Sequence, residues 1–171
     1  INYVSNEEGA EETAAACAGH GVETMTVQAD VSKDEDCRRM VQAAVDRWGR
    51  LDILVNNAAT TKPVPQADLE GLTGDEFLRI YSVNVVGTFQ MTRAASTFLR
   101  EAGNASVVNI SSIGAFRGNG SSMAYSASKG ALNTLTLSLA RVLAPEVRVN
   151  AICPGGLLGS WTRKIMTEEG Y

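Results

Sequence analysis

A strand, a loop, a helix and a second strand follow one another in residues 106–152, SVVNISSIGAFRGNGSSMAYSASKGALNTLTLSLARVLAPEVRVNAI. The short apolar runs at 106–110 and 147–152 predict buried strands. A helix is predicted over 122–143, where one apolar stripe at helical spacing is formed by Leu132, Leu135, Leu139 and Val142. Such a unit crosses over right-handedly, so we expect the two strands to be parallel.

The same alternation continues towards the N-terminus. Strands are predicted at 1–4, 22–29 and 51–55, and helices at 7–18, 32–48 and 73–99. Strands that alternate with helices predict an α/β fold, with a doubly wound parallel sheet in a single domain.

Polar residues follow several of the predicted strands. They are Asp30, Asn56-Asn57, Ser111-Ser112 and Pro154-Gly155. Ligands of open α/β sheets bind beyond the carboxyl ends of the strands, so these residues predict a binding site at that edge.

Composition excludes several classes of function. The 171 residues carry a formal charge of -4 and no basic block, which argues against nucleic acid and membrane surfaces as partners. No apolar run reaches the roughly 18 residues of a membrane span. The three cysteines form neither a disulfide framework nor a Cys-x-x-Cys metal pair, so we expect a reducing, cytoplasmic compartment.

Tyr125 and Lys129 are four residues apart near the start of the last predicted helix, so they share a face. A neighbouring ammonium group and the helix N-terminus favour the phenolate form of a tyrosine. Such a tyrosine can give a proton to a carbonyl oxygen or accept one from an alcohol. Ser112, thirteen residues before Tyr125, could hold the same oxygen.

An ordered set of motifs resembles the classical short-chain dehydrogenase/reductase family. Its members are Asp30-Val31, Asn56-Asn57-Ala58-Ala59, Asn84-Val85-Val86-Gly87, Ser112, Tyr125-Ser-Ala-Ser-Lys129, Val149-Asn150 and Pro154-Gly155. The resemblance covers nearly the whole chain. It implies a partial Rossmann-type NAD(P)-binding domain over 1–171 and hydride transfer between nicotinamide and a small carbonyl or secondary-alcohol substrate.

The resemblance also implies residue roles in catalysis. Tyr125 would be the acid or base, Ser112 would orient and polarise the substrate carbonyl, and Lys129 would bind the nicotinamide ribose and lower the pKa of Tyr125. Asn84 matches a helix-kinking asparagine that holds a water molecule connecting Lys129 to solvent. Ser111 is the alternative to Ser112, but the thirteen-residue spacing favours Ser112.

Cofactor contacts are implied in the same way. Asp30 and Val31 would flank the adenine, although Asp30 could instead cap the following turn. Asn57, Ala58 and Ala59 would line the ribose side, and Pro154, Gly155 and Leu157 the nicotinamide. Around Tyr3 and Ser5, at the end of the first predicted strand, no carboxylate precedes Glu7, which favours NADP(H) over NAD(H).

Departures from the family pattern limit these expectations. The first β-α unit, with its glycine-rich phosphate turn, and the C-terminal elements are expected to lie outside these residues. Without that turn, dinucleotide binding should be weak. Ala59 stands where the family commonly has Gly, and Gly159 where it usually has Thr.

Three further functional expectations remain open. The substrate class could be 3-oxoacyl thioesters or sugars and polyols. A non-catalytic dinucleotide-sensing or scaffold protein is the rival from another class. Helices 73–99 and 123–143 resemble those by which family members form homodimers and homotetramers.

Overall fold

The computed structural model describes residues 1–156, in which strands and helices alternate. None of the helices in this range is long and apolar enough to cross a lipid bilayer. The strands are β1 (Asn2–Tyr3), β2 (Val27–Gln28), β3 (Ile53–Asn56), β4 (Ala105–Ile110) and β5 (Val147–Ile152). The α-helices are α1 (Glu7–Ala18), α2 (Asp34–Trp48), α3 (Gly74–Tyr81), α4 (Thr88–Ala102), α5 (Gly114–Arg117) and α6 (Met123–Leu143).

All strand pairs among the described residues are parallel, as the alternation predicted. Strands β1 and β2 pair with each other, and β3, β4 and β5 form a second sheet in that order. Val107 of β4 lies opposite Leu54 on one side and Val149 on the other. The expected sheet is therefore present in two parts, with parallel topology in each.

The apolar core lies between the three-stranded sheet and helices α2, α4 and α6. Strand β4 alternates buried and half-buried residues, so Ala105, Val107 and Asn109 face the core. Leu99 of α4 and Leu143 of α6 are buried against them. Packing on this face fixes the ends of β3, β4 and β5 in relation to α6, the helix that carries Tyr125.

The predicted boundaries hold for helices better than for strands. Helix α1 has the predicted limits, whereas the strand expected over 22–29 is reduced to two residues. Helix α2 begins at Asp34 and not at Ser32, because the Ser32 hydroxyl donates a 2.7 Å hydrogen bond to Asp30 Oδ1. This contact realises the turn-capping alternative for Asp30.

The long helix predicted over 73–99 contains a π-helical segment. Thr73 caps α3 with a reciprocal contact to Glu76, and the π segment Ser82–Gly87 joins α3 to α4. Such a bulge widens one turn of a helix and is frequent at functional sites. Asn84 lies within this segment and is fully buried.

Gly87 allows the π segment to lie against Val31. A Cβ atom at this position would lie 2.7 Å from Val31 Cγ2 and 3.1 Å from the Val31 carbonyl oxygen. We expect Gly87→Ala to lower the free energy of unfolding by about 1–3 kcal/mol, the usual cost of overpacking. Denaturant unfolding measures it, with Gly74→Ala as the control because position 74 has open space. Equal stability of the two variants would contradict this close approach.

Candidate active site

An open cavity of about 1130 Å³ lies at the carboxyl ends of β3, β4 and β5, and β1 and the start of α1 border its other side. It brings together most of the residues singled out from the sequence. Those on its wall are Tyr3, Ser5, Asn57, Ala58, Ala59, Ser112, Tyr125, Lys129, Pro154 and Gly155.

Three of the singled-out residues in the described range lie elsewhere. Asp30 and Val31 are not on the wall of this cavity, and Val31 is buried against Gly87. Asn84 lies behind the wall, in the π segment. Leu157 lies outside the described residues.

Tyr125 is in the first turn of α6. Ser122 caps this helix and its hydroxyl accepts a 3.3 Å hydrogen bond from the Tyr125 N–H. Burial raises the pKa of the Tyr125 phenol above its ordinary value of 10, while the Ser112 hydroxyl acts in the opposite direction. The phenol therefore keeps its proton at neutral pH.

Lys129 is buried one turn further along α6, with 2% of its surface exposed. Its Nζ donates a 2.7 Å hydrogen bond to the carbonyl oxygen of Ile110 and lies 5.6 Å from the centre of the Tyr125 ring. Burial lowers the pKa of Lys129 to about 8, against a smaller effect of Cys153.

The expected lowering of the Tyr125 pKa by Lys129 is therefore not what this structure shows. Desolvation is the larger effect on the phenol and raises its pKa, and the opposing effect comes from the Ser112 hydroxyl. The ammonium group instead bonds to a backbone carbonyl at the end of β4.

The two candidate serines differ in what their hydroxyls do. Ser111 is buried, and its hydroxyl donates to the backbone oxygen of Lys129 at 3.2 Å. Ser112 is half-buried, and its hydroxyl accepts a 3.0 Å hydrogen bond from the Gly114 N–H while influencing the Tyr125 phenol. This geometry favours Ser112 as the group that meets a ligand beside Tyr125.

The Asn84 side chain connects three segments behind the cavity. Its amide accepts from the Thr60 N–H at 2.8 Å and donates to the Thr60 oxygen at 3.0 Å. It also donates to the Ser128 hydroxyl at 2.9 Å, which in turn donates to the Tyr125 carbonyl at 2.7 Å. Sequence reasoning missed Ser128 and Thr60, because neither position carries a chemical signal by itself.

Structural partners hold the motif residue Asn56 and the predicted cofactor contact Tyr3. Asn56 is buried and donates to Thr92 and Asn109, so its amide stabilises the core beneath the site. The Tyr3 hydroxyl donates a 3.0 Å hydrogen bond to Glu7. This hydrogen bond holds the Glu7 carboxylate close to the end of β1, although Glu7 follows that strand in the sequence.

Beside Tyr125, the loop that precedes α6 forms the wall of the cavity. Asn119, Gly120 and Ser121 line the cavity, whereas the loop 60–71 lies behind them. Within that loop, Val64 N–H donates to the Ser121 oxygen at 2.9 Å, and Gln66 Nε2 donates to the Gly120 oxygen at 3.1 Å. The loop therefore supports the wall without forming it.

The arrangement suits proton transfer to a carbonyl oxygen. A protonated phenol, a second hydroxyl and a buried amine lie at one end of a cavity that is open to solvent. No group of three His, Cys, Asp or Glu side chains that could hold a metal ion occurs in residues 1–156.

Comparisons with known proteins agree with this geometry. The family model described as short chain dehydrogenase matches residues 1–170. A protein assigned as ketoacyl reductase 2 of the granaticin polyketide synthase, from Streptomyces violaceoruber, is 44% identical over 163 residues. The match covers 95% of this chain and 64% of that relative. The NADPH-dependent aldehyde reductase 1 of Arabidopsis thaliana is 34% identical over 82% of this chain and 46% of its own length.

Solved structures are similar over most of the chain. A protein assigned as a short-chain dehydrogenase/reductase, from Burkholderia xenovorans, superposes with a TM-score of 0.88 at 48% identity, covering 91% of this chain and 64% of that one. An NAD+-bound xylitol dehydrogenase gives 0.84 at 33% identity, covering 93% and 62%. Sequence, fold and site together show that the chain belongs to the short-chain dehydrogenase/reductase family.

Proposed function

We propose that the protein is an NAD(P)-dependent oxidoreductase that interconverts a carbonyl compound and a secondary alcohol. The observation that carries this proposal is the convergence of Ser112, Tyr125 and Lys129 on one wall of the large cavity. The chain spans 64% of the length of the granaticin reductase, so the activity of the whole protein belongs to the proposal.

The residues on the cavity wall fit the nicotinamide and ribose half of a dinucleotide. When bound, the cofactor supplies or accepts the hydride. Lys129, which already uses one N–H on a backbone oxygen, retains further donors for ribose hydroxyls. The backbone at Asn57–Ala59 and Pro154–Gly155 would line the remaining sides. Val31, together with Asp30, which also caps its own turn, would flank the adenine. The family's glycine-rich phosphate turn is not among these residues.

The chain's own groups would act on the substrate as follows. Tyr125 donates its proton to the oxygen of the carbonyl as that oxygen gains negative charge. Ser112 donates a hydrogen bond to the same oxygen, and Lys129 supplies positive charge nearby. Asn84 positions these groups through Ser128, by fixing the first turns of α6 to the chain at Thr60. A phenol that is protonated at neutral pH favours the reduction of a carbonyl.

We also propose a preference for NADP(H) over NAD(H), because no carboxylate stands at Tyr3 to Ser5, where one would repel a 2′-phosphate. Glu7, held by the Tyr3 hydroxyl, is the group that could oppose this preference. Titrating the protein with NADPH and NADH tests it, and tighter binding of NADH would contradict it.

The similarity to a ketoacyl reductase makes 3-oxoacyl thioesters the more specific substrate proposal. The likeness to a xylitol dehydrogenase keeps polyols as the alternative. We further propose a homodimer or homotetramer, since family members commonly assemble through helices equivalent to 73–99 and 123–143. We also propose a cytoplasmic location.

A panel of carbonyl compounds with NADPH and NADH tests the proposed activity. We expect the purified protein to consume NADPH, and Ser112→Ala to lower turnover by about 10²-fold, the usual effect of removing one donor at a developing oxyanion. Ser111→Ala is the comparison, and its loss should be smaller because its hydroxyl bonds to the helix backbone. A larger loss in Ser111→Ala would transfer the role to that serine. Cofactor binding without any turnover would favour the sensing or scaffold alternative.

A further inference from the structure

Gly114 and Gly120 lie back to back, the first against the Ser112 hydroxyl and the second against the Tyr125 ring. A Cβ atom at Gly120 would lie 2.9 Å from Cδ1 and 3.4 Å from Cε1 of Tyr125, and 2.7 Å from the Ser126 hydroxyl. A Cβ atom at Gly114 would lie 3.3 Å from the Gly120 Cα and 3.3 Å from the Ser112 hydroxyl. A side chain at either position would therefore enter the space between the two hydroxyl-bearing residues.

Backbone conformation does not require glycine at these two positions. Gly118, between them, has a φ of 68°, in the left-handed region that favours glycine. Gly114 and Gly120 are not among the glycines with positive φ. Close approach is thus the reason for glycine at both. Gly114 approaches Gly120 and Ser112, and Gly120 approaches Ser126 and Tyr125.

The backbone at Gly120 is held from both sides, so it cannot easily retreat from an added side chain. Its N–H donates to the Ser126 hydroxyl at 2.9 Å, and its oxygen accepts from Gln66 Nε2 at 3.1 Å. The neighbouring Ser121 is fixed to loop 60–71 through its oxygen, which accepts from Val64. The Tyr125 ring, which borders the open cavity, is the part that is free to move.

We propose that Gly114 and Gly120 are positioning residues that set how closely the Ser112 hydroxyl and the Tyr125 phenol approach each other. This inference rests on the proposed function for its catalytic meaning, but the contact itself can be measured without turnover. A side chain at 120 would displace the Tyr125 ring relative to Ser112, and a side chain at 114 would press on the Ser112 hydroxyl itself.

The contact can be read from the titration of Tyr125. The charged group that faces the ring is Lys129, at 5.6 Å, and Cys153 acts on Lys129 from β5 and its following loop. The Ser112 hydroxyl lowers the pKa of Tyr125. Removing that hydroxyl should therefore raise the pKa, and the size of the rise measures how closely the two groups are held.

A double-mutant cycle in the cofactor-free protein tests the proposal. Phenolate absorbance is titrated in the wild type, Ser112→Ala, Gly120→Ala and the double variant, and Tyr125→Phe identifies the signal of this tyrosine. We expect Ser112→Ala to raise the pKa of Tyr125 in the wild-type background and to leave it unchanged in Gly120→Ala. Gly130 lies on the same helix as Tyr125, and a Cβ there would make only an ordinary 3.8 Å contact with the Ala115 carbonyl oxygen. Gly130→Ala should therefore keep the full response to Ser112→Ala.

The same rise in both backgrounds, or none in the wild type, would overturn the proposal. Gly120→Ala/Ser126→Ala separates the two close contacts at 120: the Ser112 response should stay lost, and its return would assign the effect to Ser126. If circular dichroism shows that Gly120→Ala is unfolded, Gly114→Ala carries the same cycle with a smaller expected loss of response.

With a carbonyl substrate, Gly120→Ala should lower kcat by about tenfold or more and leave cofactor affinity unchanged. Absence of turnover in the wild type would count against the proposed function and leave the titration result standing.

Discussion

Tyr125→Phe is expected to lower carbonyl reduction by about 10³-fold while changing cofactor affinity little, because positioned proton donors typically contribute 10²- to 10⁴-fold. The substitution removes only the hydroxyl. The ring still fills the space beside Gly120, and the backbone N–H of residue 125 still bonds to Ser122. The loss should therefore appear in kcat and not in the folding of α6.

Steady-state NADPH consumption measures kcat, and quenching of NADPH fluorescence measures cofactor affinity. Tyr81→Phe is the matched control, since Tyr81 ends α3 and is not on the cavity wall. Turnover of Tyr125→Phe within a few fold of the wild type would show that another group donates the proton. Equal losses in both variants would point to a general effect of removing a tyrosine hydroxyl.

The order of elements could be predicted from the sequence because hydrophobic periodicity is local. Helix α1 has the limits that its composition and the following Gly19-His20-Gly21 turn indicate. The strand expected over 22–29 was too long because a strand exists only where a neighbour pairs with it. Here β1 offers two residues to β2.

The catalytic candidates were also visible, since Ser112, Tyr125 and Lys129 have distinctive types and fixed spacings. The environment of these side chains could not be predicted from the sequence. The direction in which the Tyr125 pKa shifts depends on burial, which the sequence does not specify, and burial outweighs the effect of the Ser112 hydroxyl. The supporting contacts of Asn84 join residues 24 and 44 positions away, at Thr60 and Ser128, and only the folded chain brings them together.

Lys129 couples the site to stability. Its pKa falls from the ordinary 10.5 to about 8 through burial, which corresponds to about 3 kcal/mol at roughly 1.4 kcal/mol per pKa unit. The unfolded chain binds this proton more tightly than the folded protein does. Below pH 8 the full cost of burying the charge is therefore present, and it disappears as the pH rises from 8 to 10.5.

Lys129→Met is accordingly expected to abolish turnover and to stabilise the fold at pH 7. The gain in the free energy of unfolding should be about 1–2 kcal/mol. It is smaller than the burial cost that is removed, because the Ile110 carbonyl oxygen loses its hydrogen bond. Between pH 8 and 10.5 the wild type regains stability through loss of the Lys129 proton, so the advantage of the variant should shrink and then reverse.

Denaturant unfolding of both proteins from pH 7 to 10.5 measures this difference, in which the other titrating groups cancel. Lys33→Met is the control, since Lys33 is an exposed lysine. A constant difference for Lys129→Met over the same range would mean that the amine is not held at a lowered pKa. Under the proposed function, the site tolerates this cost at neutral pH because the buried ammonium beside Tyr125 contributes more to the reaction than it costs the fold.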